Sequence, residues 1–420
     1  MRRALAAGLI KDFTMLKRHR LFVLVGMLVL CECVLSAQEK AAPPGQQPGG
    51  TIIGYRVKGK IGNQAVDLTV TPIIQGQAPV GVAAAAAAAA GASTGSDPAR
   101  LERIHSAKMP PIDKPILFDT PEADAICSAL EVLPANNPWN LVIEDWPVHP
   151  NSKNLIASIG ESKPLRCNTD MGFILVPTDQ PRVNIKVVNW PGESDKGPFP
   201  VPENIPIEGW PVQYQRSGKN VSLDDVQRDK LNEQGDRHAI VVDPVNRMLY
   251  EYYILKKTGS GWQAAQTSIF DLKSNKLRPA GWTSTDAAGL PIFPAVARYD
   301  EIKRGIVEHA MRFTVKRSRK MYVYPATHHA GSGSDENLPR MGERLRLRNS
   351  FDITGFSPET EAILKGLKKY GMFVADNGLD WSLSIAPDPR IPPLYEEFRK
   401  IKGSDFEVVA YPAGYEPPTD

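Results

Sequence analysis

Cysteine is scarce: there are four in 420 residues, Cys31 and Cys33 near the N-terminus and only Cys127 and Cys167 in the body of the chain. No Cys-x-x-Cys or zinc-type Cys/His spacing occurs, so thiol redox chemistry and a structural zinc site have no support. A P-loop is also missing, which leaves nucleotide chemistry without its phosphate cradle. An excess of charge of one sign is lacking too. With 50 basic and 47 acidic side chains the net charge is +3, which argues against a dedicated nucleic-acid binder. Strong helical periodicity is limited to four segments: Pro121–Ala129, Ser222–Asn232, Ser357–Tyr370 and Pro393–Ile401.

Proline and glycine are abundant, 37 and 33 residues, while 42% of the chain is hydrophobic. Short apolar runs such as Phe173–Val176, Val183–Val188 and Ala239–Val242 lie between Pro-rich loops. Proline removes a backbone donor and glycine supplies turn conformations, so this punctuation suits strands joined by loops. The expected fold is mainly β: an antiparallel two-sheet sandwich, jelly-roll-like, with a few peripheral α-helices. The best helix is Ser357–Tyr370, where Ser357 caps the start, Glu359 and Glu361 suit the positive end, Lys368 and Lys369 the negative end, and Gly371 stops it.

The N-terminus has the order of a secretory signal: Lys17, Arg18, His19 and Arg20, then the apolar run Leu21–Leu30, then Val34-Leu35-Ser36-Ala37. The run falls short of the ~20 residues that span a bilayer, so no stable membrane span is expected once residues 1–37 are removed. Met15 is a possible true start. Residues 38–113 read as a low-complexity tether, with eight alanines at 83–90 and a possible small β element at 51–71. Residues 114–420 read as a single β-rich domain. A secreted or periplasmic location follows from this order. There the pair Cys127 and Cys167 is either bridged or left as two buried thiols, and spacing does not decide between them.

Candidate chemistry lies on strand ends and loops. Asp236-Arg237-His238 leads into Ala239–Asp243, and Met248–Tyr253 returns as the second arm of a hairpin. A two-residue turn sets His238 opposite Glu251; a three-residue turn with Asn246 left-handed moves Glu251 to the other face. If the two meet, the carboxylate orients the imidazole as a general base or metal ligand. A second hairpin is expected from Met311–Val315 and Met321–Tyr324, with His309, His328 and His329 near its mouth. A divalent metal there is conceivable, although no standard ligand spacing appears. Arg312 is either a solvated charge or a clamp for an anionic substrate. Asp286 sits in a loop with Trp282, and Asp376-Asn377-Gly378 is either a turn or one half of a carboxylate pair beside Trp381. Arg344, Arg346 and Arg348 alternate with Leu345 and Leu347, giving a basic stripe that is either solvated or faces an acidic polysaccharide.

Taken together, the strings Asn137-Pro138-Trp139-Asn140, Gly235-Asp236-Arg237-His238, Leu277–Ser284, His309–Thr314 and Lys369–Gly378 resemble a family of secreted bacterial proteins of unassigned activity. The likeness covers about Phe118 to Val409; Cys167 departs from it, where an aromatic is more usual. Members are sometimes fused to fibronectin-like or carbohydrate-binding modules, and the resemblance therefore implies an extracellular or cell-wall glycan as partner, with no nucleic acid. It supplies no catalytic residues. The expectation is an exported protein that binds or cleaves carbohydrate, as a hydrolase or lyase if an enzyme, through a cleft of His238, Glu251, Asp286, His309, Arg312, His328 and Asp376. No cofactor is called for. The alternative is a non-catalytic envelope or surface module.

Overall fold

A computed structural model describes residues 95–419 apart from 219–220 and 233–234, and the backbone alone of 55–61 and 64–70. The signal segment and most of the expected tether lie outside the described residues. Two compact units divide the chain at 81/82. In the first, β1 (Tyr55–Ile61) and β2 (Gln64–Val70) pair antiparallel, from Tyr55 opposite Val70 to Ile61 opposite Gln64.

The second unit is sheet-rich, with three mixed sheets and eight short α-helices among the described residues. One sheet has five strands in the order β11 (Gln266–Asp271), β8 (Met248–Tyr253), β7 (Ala239–Asp243), β5 (Phe173–Leu175), β3 (Ile116–Leu117). Another has six, in the order β16 (Phe406–Val408), β13 (Arg344–Leu347), β14 (Met372–Asn377), β12 (Met311–Val315), β15 (Ser382–Ile385), β4 (Arg166–Thr169). The third holds β6 (Ile185–Val187), β10 (Gly261–Ala264) and β9 (Lys256–Thr258).

The purely antiparallel plan expected from sequence does not hold. β5–β7, β12–β14, β15–β4 and β6–β10 are parallel pairs. A parallel pair needs a long crossover rather than a tight turn. Between β12 and β14 that connection includes the 12-residue helix Pro358–Lys369, which buries Ala362, Ile363, Leu364 and Leu367. The expected hairpin of 311–315 with 321–324 is absent for the same reason: β12 is flanked by β14 and β15, and Tyr322 instead bridges to Met341.

β7 is buried on both faces: Ile240 and Val242 join one core with Phe173, Phe293, Met311 and Phe313. Ala239 and Val241 join another with Phe199, Tyr252 and Trp262. A continuous apolar run is what such a doubly covered strand requires. The first core takes side chains from both the five- and the six-stranded sheet. Cys127 and Cys167 are both free thiols, so the bridge left open from sequence is not formed. The main body also starts earlier than residue 114, because Pro98–Ser106 is a helix with Arg100 and Ile104 buried.

Candidate functional site

The site is built on the polar face of β12. Met311, Phe313 and Val315 point into the core, so by strand alternation Arg312 and Thr314 share the other face. Antiparallel β15 sets Ser382 opposite Thr314, and parallel β4 sets Asn168 opposite Ser384, which brings these side chains to Arg312's face. On the far side of β12 the ladder with β14 is irregular: Phe313 faces Val374, but Thr314 faces Asp376. The extra residue, Ala375, is a β-bulge that reverses the alternation and turns Asp376 toward Arg312's face.

Arg312 is held by a fork. Its Nε and Nη2 each donate to one oxygen of Asp286 at 2.8 Å, and Nη1 donates to Ser384 Oγ at 2.6 Å. Both partners are buried. The Asp286 loop is fixed locally, since Ser284 Oγ accepts the Asp286 N–H at 2.9 Å and donates to the Leu290 carbonyl at 2.6 Å. Next to this pair, Asp170 Oδ2 accepts from Asn168 at 2.6 Å and from Ser384 Oγ at 3.4 Å, while its buried Oδ1 has no partner. Burial and the Glu208 carboxylate push Asp170 up to about 7, against the pull of Arg312. Asp376 is likewise raised to about 7, by burial and the Asp286 carboxylate.

His238 precedes β7. One ring nitrogen, Nε2, lies 2.8 Å from the Thr285 carbonyl, and Nδ1 lies 2.9 Å from Glu208 Oε2, which also accepts the His238 backbone N–H at 3.2 Å. Burial disfavours a charged ring, yet Glu208 outweighs it and raises the imidazole to about 10. A cavity of about 240 Å³ is lined by Asp170, Glu208, Asp236, His238, Arg312 and Asp376. A second cavity of about 240 Å³ is lined by Trp190, Tyr253, Thr285, His328 and again Asp376. Asp376 is the seam between them. The Tyr253 ring lies 5.9 Å from Trp190 and 5.4 Å from the His238 ring, and its hydroxyl donates to Asp236 at 3.1 Å.

The seven residues singled out from sequence thus divide. His238, Arg312 and Asp376 line the first cavity, and His328 lines the second. Asp286 stands behind Arg312 with 0% exposure, so it holds the guanidinium and does not reach a substrate. Glu251 is fully buried and accepts the backbone N–H groups of Ile292 and Phe293 at 2.8 and 2.9 Å and the Thr285 hydroxyl at 3.1 Å. It does not meet His238. The β7–β8 loop spans Pro244–Arg247, with Arg247 rather than Asn246 left-handed, and places Glu251 opposite Ile240. His309 is buried against Glu301 at 3.0 Å and the Ala310 carbonyl at 2.8 Å, in an ion-pair network of Arg298, Asp300 and Arg304. His328 and His329 stack on each other at 5.4 Å, so the three histidines of the expected hairpin mouth do not gather as ligands.

Two further expectations are corrected. Arg344 and Arg346 are buried and donate to the carbonyls of Leu141, Tyr370 and Ile143, which makes two of the three arginines of the stripe internal scaffolding, while Arg348 stays exposed beside Glu407. Trp381 is fully buried, stacked on Phe313 and Phe406, and so does not flank Asp376 in an open cleft. The exposed ring beside the acids is Trp190, at 41% exposure. Sequence gave no hint of Trp190, Glu208 or Asp170, which lie in loops without periodicity; Asp236 and Tyr253 flank the segment around His238 that did stand out. Comparison of the chain with family models, curated proteins and solved structures finds no match.

Proposed function

We propose that this is an exported protein that binds or cleaves extracellular carbohydrate at the Asp376 cleft. The observation that carries the reading is the position of Asp376 at the seam of two cavities, one polar and the other bordered by the exposed Trp190 and the half-buried Tyr253. Aromatic faces suit the apolar side of a sugar ring. A carboxyl raised to about 7 keeps its proton near neutrality and can donate it to a leaving oxygen. Hydrolases and lyases share that step, so the reading covers both. Arg312, locked by Asp286, supplies fixed positive charge beside it. Export is supported by the basic, apolar and small-residue order of residues 17–37 and by the resemblance to secreted bacterial proteins. The shared core of the five- and six-stranded sheets supports reading them as the two layers of a sandwich.

The internal pairing of Asp286, Glu251 and His309 favours a second reading, a non-catalytic envelope or surface module. A polysaccharide panel separates the two. If the cleft is catalytic, Asp376→Asn lowers kcat/KM by at least about 100-fold, while Trp190→Ala raises KM. Saturable binding without product, lost in Trp190→Ala and kept in Asp376→Asn, assigns the module reading. Neither binding nor cleavage on any member of the panel, or activity indifferent to both substitutions, sinks the carbohydrate proposal.

A further inference from the structure

We propose that Glu208, Asp236 and His238 hold a divalent cation at the polar end of the cleft, through His238 Nδ1 and one oxygen from each carboxylate. The proposal stands whether or not the cleft takes a sugar. The three ligand atoms lie within 4.8 Å of one another. An ion with bonds of about 2.0–2.4 Å separates its ligands by no more than twice that length.

The histidine is oriented for this. A carbonyl oxygen only accepts, so the contact of Nε2 with Thr285 places a proton on Nε2 and leaves Nδ1 for another partner. Metal-binding histidines are held in this way, with the second nitrogen donating to a backbone carbonyl. At Nδ1 the ring meets the Glu208 carboxylate at 2.9 Å; without an ion a proton bridges the two, and a divalent cation takes that place by displacing it.

Asp170 is the independent observation. It is 2% exposed, lines the same cavity, and its Oδ1 has no hydrogen-bond donor. The Gly209 N–H donates to the Asp170 carbonyl at 2.7 Å, which fastens the Glu208 loop beside it. The nearest guanidinium, on Arg312, is already committed to Asp286 and Ser384. Asp170 therefore adds a buried, uncompensated oxygen to the cavity that Glu208, Asp236 and His238 line, and such orphaned oxygens call for an ion or water. One imidazole with carboxylate oxygens suits Mn²⁺ or Zn²⁺ better than a soft-metal site.

The test is calorimetric titration of the chelator-treated full chain with MnCl₂ and with ZnCl₂, without sugar. The expected result is one saturable equivalent of at least one ion, weakened about tenfold or more by Asp236→Asn and abolished by Glu208→Gln, with the exposed-surface variant Glu396→Gln unchanged. Asp236 is exposed, and an Asn carbonyl still accepts from Tyr253, so Asp236→Asn decides the matter even if Glu208→Gln fails to fold. Absence of saturable binding of either ion up to millimolar concentration overturns the proposal. Binding equal in wild type and Asp236→Asn overturns it as well. Because no glycan enters the titration, these results leave the carbohydrate reading to its own experiment.

Discussion

Glu251 shows what a single residue costs and secures. Its carboxylate has no exposure, and burial pushes it up to about 7 in spite of two backbone donors and the Thr285 hydroxyl. Between its unfolded value near 4.5 and this raised value, the folded protein keeps a proton that the unfolded chain has released. Stability from this group is therefore highest at low pH and falls as pH rises to about 7, by on the order of 3 kcal/mol. Glu251→Gln keeps an acceptor for Ile292 and Phe293 but does not titrate. Its stability relative to wild type should rise between pH 4 and pH 8 by an amount of that order, measured by urea unfolding at both pH values. A difference independent of pH would show that the buried carboxylate carries no such penalty. Glu251 stood out in the sequence as the acid that one hairpin register would set opposite His238. Its role was hidden because the groups that claim it, the Ile292 and Phe293 amides, lie some 40 residues away.

Elements were legible where their own ends announce them and illegible where a distant partner decides. The helix Pro358–Lys369 begins after Ser357, whose side chain accepts the Thr360 N–H, as the cap and stop residues required. The strand β12 was equally plain, but its neighbours were not, because alternation defines a face and says nothing about which strand lies beside it. Gly371 joins the two cases. It ends that helix at φ +71°, and a Cβ there would come within 2.2 Å of the Leu345 carbonyl oxygen in β13 and 2.7 Å of Ile143. Gly355 has a similar φ of +83° with nothing within 4 Å. Alanine at either position pays the left-handed cost of about 1–2 kcal/mol. At Gly371 it must also push β13 aside, for about 1–3 kcal/mol more. Gly371→Ala should thus lower the urea midpoint clearly further than Gly355→Ala, and equal losses would mean that β13 yields freely at this contact. Asp376, one residue before the end of β14, owes its direction to the Ala375 bulge, and no local pattern in Val374–Gly378 reveals a bulge set by pairing with β12.

At the scale of the whole molecule, the composition correctly indicated a sheet-rich body, and the run Ala239–Val242 marked the strand shared by two cores. The start of the body was misplaced for a physical reason. Pro98–Ser106 shows only a thin apolar stripe, Leu101 and Ile104, after a long stretch of Ala, Gly, Ser and Thr, and its anchoring is polar and remote. Asp97 caps the helix through the Ala99 N–H at 3.2 Å. The same side chain receives Lys369 Nζ at 2.5 Å and the Tyr370 hydroxyl at 2.6 Å, across more than 270 positions. Arg103 donates to the Ser128 carbonyl at 2.7 Å and pairs with Glu308, while Ile104 is buried. Removing the segment uncovers apolar surface worth about 1.5–3 kcal/mol for Ile104 alone. It also strands the Tyr370 hydroxyl in a largely closed site, at about 1–3 kcal/mol. A chain that starts at Lys114 should therefore be less stable than one that starts at Gly95 by roughly 3 kcal/mol or more. In the shorter chain, hydrogen exchange should rise first in the last turn of the helix that ends at Lys369, where Asp97 no longer holds Lys369 and Tyr370. Equal urea midpoints for the two chains, with unchanged exchange at residues 366–370, would place the segment outside the folding unit after all.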